Sequence, residues 1–181
     1  MSAIFNSSSG LAWFAIGTRP RWEKFVTHSL EGKGYEAFLP VYKSRRRWSD
    51  RIKELDLPLF AGYLFCRMSL EENRLPVLTT PGVRRIMGIG KVPIPVPDGE
   101  IDAVRVIVAS GLAAQPWPFV RVGDRVRIKS GALDGVEGLL IASKKHHRLV
   151  VSVELLQRSV AVDIDQAWVD AVGPLPRTAK S

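Results

Sequence analysis

LPLFAGYLFCRM, residues 57–68, decides how the chain folds. From Tyr63 onward the side chains alternate across a strand, with Leu64, Cys66 and Met68 on one side and Tyr63, Phe65 and Arg67 on the other. An antiparallel sheet with one wet side carries polar residues at every second position. Two aromatics stand there instead, and Leu57, Pro58, Leu59 and Phe60 lie just upstream. The stretch WFAIGT (13–18) repeats the pattern, with Trp13 and Ala15 against Phe14 and Ile16. Together the two segments predict a sheet that is apolar on both faces. One face packs under helices. The other is either covered by the chain's own hairpin and helices or left open as an apolar patch that marks a partner site.

Working outward, Pro20 opens a helical pattern in which Trp22, Phe25, Val26 and Leu30 recur at helical spacing until Gly34 stops it. EAFLPVY (36–42) and RIKELDL (51–57) read as the arms of a hairpin whose tip is the basic stretch KSRRRWSDRIK (43–53). VRRIMGI (83–89) is a further strand. Asp98 is an N-cap for a last helix with Ile101, Val104, Ile107 and Val108 on one face. Strands and helices alternating in this way predict an α/β or α+β sandwich over residues 12–110, after a tail at 1–11. SGLAAQPWPF (110–119) has two prolines and no periodicity, so residues 111–120 read as a linker. Beyond it only strands follow: DRVRI (124–128), VEGLLIA (136–142), RLVVSVEL (148–155), SVAVDI (159–164) and AWVDAV (167–172). Five short strands with tight polar turns predict a small closed barrel over 121–172, with a tail at 173–181. The β-branched alternation of residues 148–164 disfavours any helical state of this part.

The net charge is +8, and both halves of the chain are basic. A positive field of this kind favours encounters with polyanions. No stretch approaches the ~20 apolar residues that a bilayer span requires, so no membrane role is expected. The N-terminal residues lack the pattern of a signal peptide, and Cys66 has no disulfide partner, so the expected location is cytoplasmic. GIGKVP (88–93) lacks the spacing and the Ser or Thr of a phosphate loop, and no G-x-S-x-G elbow is present. His146 and His147 sit in a Lys-rich turn without companion ligands. No catalytic residue, metal or cofactor is expected.

Two segments of the first part, LPLFAGYLFCRM and TPGVRRIMG, resemble the signature segments of the NusG N-terminal domain, and RVGDRVRIKSGALDGVEGLLI resembles a KOW motif. Domain order, lengths and linker agree, so residues 13 to about 172 resemble the NusG family of transcription elongation factors. The fold class this implies is α+β: a NusG-type sandwich linked to a five-stranded, SH3-like KOW barrel. TRPRWEK, KSRRRWSDR and LLQRSVAVDI are similar to the specialised UpxY or RfaH-like antiterminator branch. The resemblance implies that the first domain grips the clamp helices of RNA polymerase and promotes processive elongation. It also implies that the KOW domain recruits a ribosomal protein or Rho, through an exposed strand edge around Val160 to Ile164. The chain is expected to act as a monomer. An alternative from another class is a KOW-type RNA-binding or ribosome-associated protein, which has no need of the LPLFAGYLFCRM face.

Carried over by position, Tyr63 and Phe65 are the aromatics of the polymerase groove, and Leu57, Pro58 and Phe60 shape its rim. Gly17 stands where a relative presents a further groove aromatic. Asn73 and Arg74, in EENRL (71–75), match the contact with the far side of the polymerase cleft. The positions matching those with which specialised relatives read the exposed non-template DNA strand are Arg19, Ser29, Lys33 and Thr80, with Arg21 and Lys24 adding charge; the alternative is a solvated helix face. Arg45, Arg46, Arg47 and Arg51 at the hairpin tip, with Trp48 among them, are either a solvated turn or a sequence-independent contact to phosphates of upstream DNA.

Overall fold

The computed structural model describes residues 10–121, 123–142 and 147–171. The tail at 173–181, most of the tail at 1–11, and His146 lie outside the described residues. By internal contacts the chain divides into two compact units, residues 1–39 with 60–98, and residues 40–59 with 99–181.

In the first unit, β1 (Leu11–Thr18) pairs antiparallel with β5 (Tyr63–Ser69). Its other elements are α1 (Glu23–Gly32), β2 (Glu36–Phe38), α2 (Leu70–Leu78) and β6 (Val83–Ile86). The sheet order is β2-β5-β1-β6. Two-residue alternation sends Phe14, Ile16, Leu64, Cys66 and Met68 into one core with Val26 and Leu30 of α1 and Val77 of α2. Burial, and secondarily the charge of Glu36, push the Cys66 thiol up to about 12, which leaves it a packing group without nucleophilic character. The opposite face carries Trp13, Ala15 and Phe65, all buried as well. The sheet is apolar on both sides, as the alternation requires.

The helix α2 carries no apolar stripe, and Pro76 interrupts it, so the sequence pattern conceals it. After β6 the GIGKVP stretch forms a minimal hairpin of β7 (Gly88–Ile89) and β8 (Val92–Pro93), turning at Gly90 with φ 61.

In the second unit, β3 (Val41–Trp48) and β4 (Arg51–Pro58) form an eight-residue ribbon closed at its base by the Leu59 N–H donating to the Pro40 carbonyl at 2.8 Å. The basic residues expected in a turn are therefore in the strands. Only Ser49 and Asp50 turn, and Ser49 adopts a left-handed φ of 42. EAFLPVY is also not one arm: it splits at Pro40, with β2 joining the first unit's sheet. Then α3 (Asp98–Ala109) buries Ile101, Val104 and Ile107.

The barrel strands are β10 (Asp124–Ile128), β11 (Glu137–Ala142), β12 (His147–Val153), β13 (Arg158–Ile164) and β14 (Val169–Ala171). Preceding them, β9 (Ala114–Pro118) is the stretch read as a linker. It pairs with β13, placing Gln115 opposite Ala161 and Trp117 opposite Ser159. The sheet thus has six strands, in the order β14-β10-β11-β12-β13-β9. Prolines are tolerated here because β9 is an edge strand, where the missing N–H has no ladder partner to lose. The Arg148 guanidinium lies 4.9 Å above the Trp117 ring and donates to Asp163 at 2.7 Å, which fastens the added strand. The β13 edge expected to be open is therefore occupied by the chain's own β9.

Candidate protein and nucleic-acid interfaces

The Phe60–Tyr63 turn sets up the first candidate face. The Tyr63 N–H donates to the Phe60 carbonyl at 2.9 Å, and Gly62 has φ 85, a conformation that a side chain would resist. Its Gly62 N–H donates to the Glu23 carboxylate at 2.8 Å, and its carbonyl accepts from the Thr18 N–H at 2.9 Å. Glu23 is a buried carboxylate at the first position of α1, where the helix dipole favours its charge. Sequence reasoning missed it, because one Glu at a helix start is ordinary.

This turn fixes Tyr63 half-buried on the face opposite α1 and α2. Phe65, two residues on, does not line an open groove. Phe38 stacks on it at 6.2 Å and Phe60 meets it edge-on at 5.7 Å, leaving it 0% exposed. Phe60 is equally buried, so it is floor and not rim. The cause is register: β2 places Phe38 directly opposite Phe65, and the apolar residues close over one another. At Gly17, opposite Tyr63 on one side and Arg85 on the other, a Cβ would come within 3.3 Å of the Arg85 side chain. The space that the missing aromatic leaves at Gly17 is lined by the aliphatic stem of Arg85. The face beside Tyr63 thus acquires a cation that the sequence reading overlooked. Leu57 and Pro58, in the second unit, are half-buried at the base of the ribbon.

The second candidate face lies on α1. Arg19-Pro20-Arg21-Trp22 forms a turn in which the Trp22 N–H donates to the Arg19 carbonyl at 3.1 Å and Arg21 holds a left-handed φ of 67. The Thr80-Pro81-Gly82-Val83 turn has Gly82 at φ 91, with the Val83 N–H donating to the Thr80 carbonyl at 3.1 Å. A Cβ on Gly82 would lie 2.7 Å from the Trp22 ring, so the glycine is what lets that ring lie down. Trp22 and Phe25 share the helical spacing of Val26 and Leu30 but do not share their burial. They are 37% and 51% exposed and pack edge-to-face at 5.3 Å, with the Arg19 guanidinium 5.7 Å from the Trp22 ring. Glu23, Val26 and Leu30 take the inward positions.

The expected DNA-reading residues divide. The Lys33 ammonium donates to the Thr80 hydroxyl at 2.8 Å and to the Pro76 carbonyl at 2.9 Å, and Thr80 is only 2% exposed. That pair is brought together but tied up bracing α1 against α2. The Ser29 hydroxyl donates back to the Phe25 carbonyl. Arg19, Arg21 and Lys24 remain exposed. On α2, Asn73 accepts from the Ser69 N–H at 3.0 Å and caps the helix start, while Arg74 is exposed.

Among the described residues no group of His, Cys, Asp or Glu is placed to hold a metal ion, and no helix is long and apolar enough to cross a membrane. The profile of the family described as "Transcription termination factor nusG" matches residues 11–105, more than half of the chain. The chain belongs to the NusG family. Curated NusG proteins are similar over nearly the whole length. The Lactococcus lactis subsp. lactis protein is 27% identical over 88% of this chain and 92% of its own. That of Thermus thermophilus is 29% identical over 86% and 95%. Both are transcription termination/antitermination proteins. The structure described as "Domain interaction in Thermotoga maritima NusG" matches with a TM-score of 0.55 and 20% identity over 90% of this chain and 98% of that one, a likeness of fold. NusG proteins are non-enzymatic transcription factors, and this chain is one of them.

Proposed function

We propose that this NusG protein binds RNA polymerase through the face of its first unit that carries Tyr63, docking the polymerase's clamp helices and keeping elongation processive. The observation that carries the reading is the second apolar face, behind a sheet whose first face already has its helices. Phe60 and Phe65 are buried there in the chain's own packing, and Tyr63 stays half-buried on the same face, within reach of a partner. Phe65 and Phe60 form a buried floor, Phe38 and Tyr63 are half-buried on the same face, and Arg85 supplies a cation at its margin. A partner helix with apolar anchors and a carboxylate suits that combination. Arg74 on α2 is the remaining candidate for a second polymerase contact.

The exposed Trp22–Phe25 pair with Arg19 and Arg21 suits an unpaired DNA strand, because aromatic faces stack on any base and the arginines meet the phosphates. The KOW barrel recruits a further factor, a ribosomal protein or Rho. With β9 on β13, that partner either displaces β9 or uses another surface.

Capture by core RNA polymerase tests the reading. Tyr63→Ala and Arg85→Ala are expected to lose capture while retaining the wild-type melting temperature. Wild-type capture by the doubly substituted, folded protein would end the proposal.

A further inference from the structure

The β3–β4 ribbon has two unlike faces. Residues directly opposite in an antiparallel pair point the same way. Lys43, Arg45 and Arg47 therefore share a face with Asp56, Glu54 and Ile52. On that face Arg45 meets Glu54 at 3.0 Å and Lys43 meets it at 3.9 Å, so most of the positive charge is answered. The other face sets Ser44 opposite Leu55, Arg46 opposite Lys53 and Trp48 opposite Arg51. It holds three cations, no carboxylate, and a tryptophan that is 68% exposed. Arg46, Arg51 and Lys53 make no ion pair among the described residues: Asp50, next to Arg51, lies in the turn, and Glu54, next to Lys53, is on the other face with Arg45 and Lys43.

Like charges directly across a strand pair destabilise it. Arg46 facing Lys53 therefore works against the ribbon's own stability, and no packing compensates, since both residues are exposed. An arrangement that costs stability without structural return points to a ligand that neutralises it. We propose that the Arg46–Arg51–Lys53–Trp48 face is a sequence-independent docking surface for the backbone of duplex DNA, and that the Arg45 face is not. A two-stranded ribbon has the width that the major groove admits. Cations on every second residue lie about 7 Å apart along a strand, which spreads them over successive phosphates. The single tryptophan argues against an unpaired strand, which is held by several aromatics in series. The inference rests on the reading that the chain works beside nucleic acid, but not on the polymerase contact.

The test compares two triple variants of equal charge change in the full-length protein, Arg46→Gln/Arg51→Gln/Lys53→Gln and Lys43→Gln/Arg45→Gln/Arg47→Gln. Anisotropy of a labelled mixed-sequence duplex is followed over a salt series, without polymerase. The first triple is expected to weaken binding about tenfold or more at low salt and to reduce the slope of log affinity against log salt by about 2.7, three phosphates' worth. The second is expected to change that slope by less than about 1. Lys53→Glu places a carboxylate opposite Arg46, so it is expected to hold or raise the melting temperature while weakening the duplex, which separates binding from folding. Equal losses from the two triples would reduce the effect to net charge and overturn the proposal. Tighter wild-type binding to a single strand of the same length would overturn it too, assigning the face to unpaired nucleic acid. Polymerase capture that survives the first triple keeps this question apart from the one at Tyr63.

Discussion

β1–β5 and β3–β4 are both antiparallel pairs of seven or eight residues, yet almost nothing else about them is alike. The first is buried on both faces, and nearly every side chain is there for packing. The second is exposed along most of its length, with its charges sorted by face. Backbone pairing sets the shape of each, and the side-chain pattern decides whether that shape serves stability or contact. Where packing dominates, a substitution is felt in folding. Where charge dominates, it is felt in binding.

The contrast can be broken from its packed end first. Phe65→Ala removes a ring in contact with Phe38 and Phe60 and is expected to cost about 3–5 kcal/mol of stability, measured by urea unfolding. A loss below about 1 kcal/mol would mean that the second face is not a packed floor.

Gly82→Ala comes next. It adds a Cβ 2.7 Å from the Trp22 ring at a left-handed φ, so about 2–3 kcal/mol is expected, together with a changed Trp22 fluorescence.

Glu100 on α3 stands between the two extremes, a carboxyl half-hidden from water. Burial raises it from an ordinary 4.5 to about 7; a backbone hydrogen bond at Glu154 lowers it, and the Glu154 charge raises it further. One of its oxygens is buried without a hydrogen-bond partner. Because the folded value is the higher one, the native state holds the proton more tightly. That contribution is fully present below pH 4.5 and is lost as pH rises through about 7. Glu100→Gln is expected to flatten this decline and to gain about 1–2 kcal/mol at pH 8, discounted for the group's partial access to solvent. Unfolding curves at pH 5 and pH 8 measure it.

The smallest effect belongs to the ribbon. Arg46→Ala is expected to shift stability by no more than about 0.5 kcal/mol, in the stabilising direction, since it relieves the repulsion with Lys53.

Much of this was legible in the sequence. Alternation at 13–18 and 63–68 revealed two apolar faces, because period-two burial leaves a direct trace. The barrel strands were equally clear, set apart by their turns. What stayed hidden depends on partners distant in the chain. Helical spacing grouped Trp22 and Phe25 with Val26 and Leu30, but only the packing against Gly82 decides which of them turn outward. Phe65 reads as an open aromatic until Phe38 is placed opposite it. The strand β9 was invisible because two prolines in five residues mimic a linker, and only an unpaired β13 edge makes room for them. The second ribbon strand was legible as RIKELDL, whereas the first was masked by its arginines, which suggest solvent and not pairing. Arg85 beside Gly17 and the Glu23–Gly62 bond likewise follow from register and chain reversal, not from local pattern.

The most direct test of the account replaces Tyr63 with the photocrosslinker benzoylphenylalanine in full-length protein bound to an elongation complex, with the same substitution at Trp48 for comparison. The account predicts that position 63 crosslinks to the clamp helices of the polymerase and position 48 to duplex DNA. Crosslinks from position 63 only to this chain itself, in a complex that position 48 shows to be assembled, would contradict it.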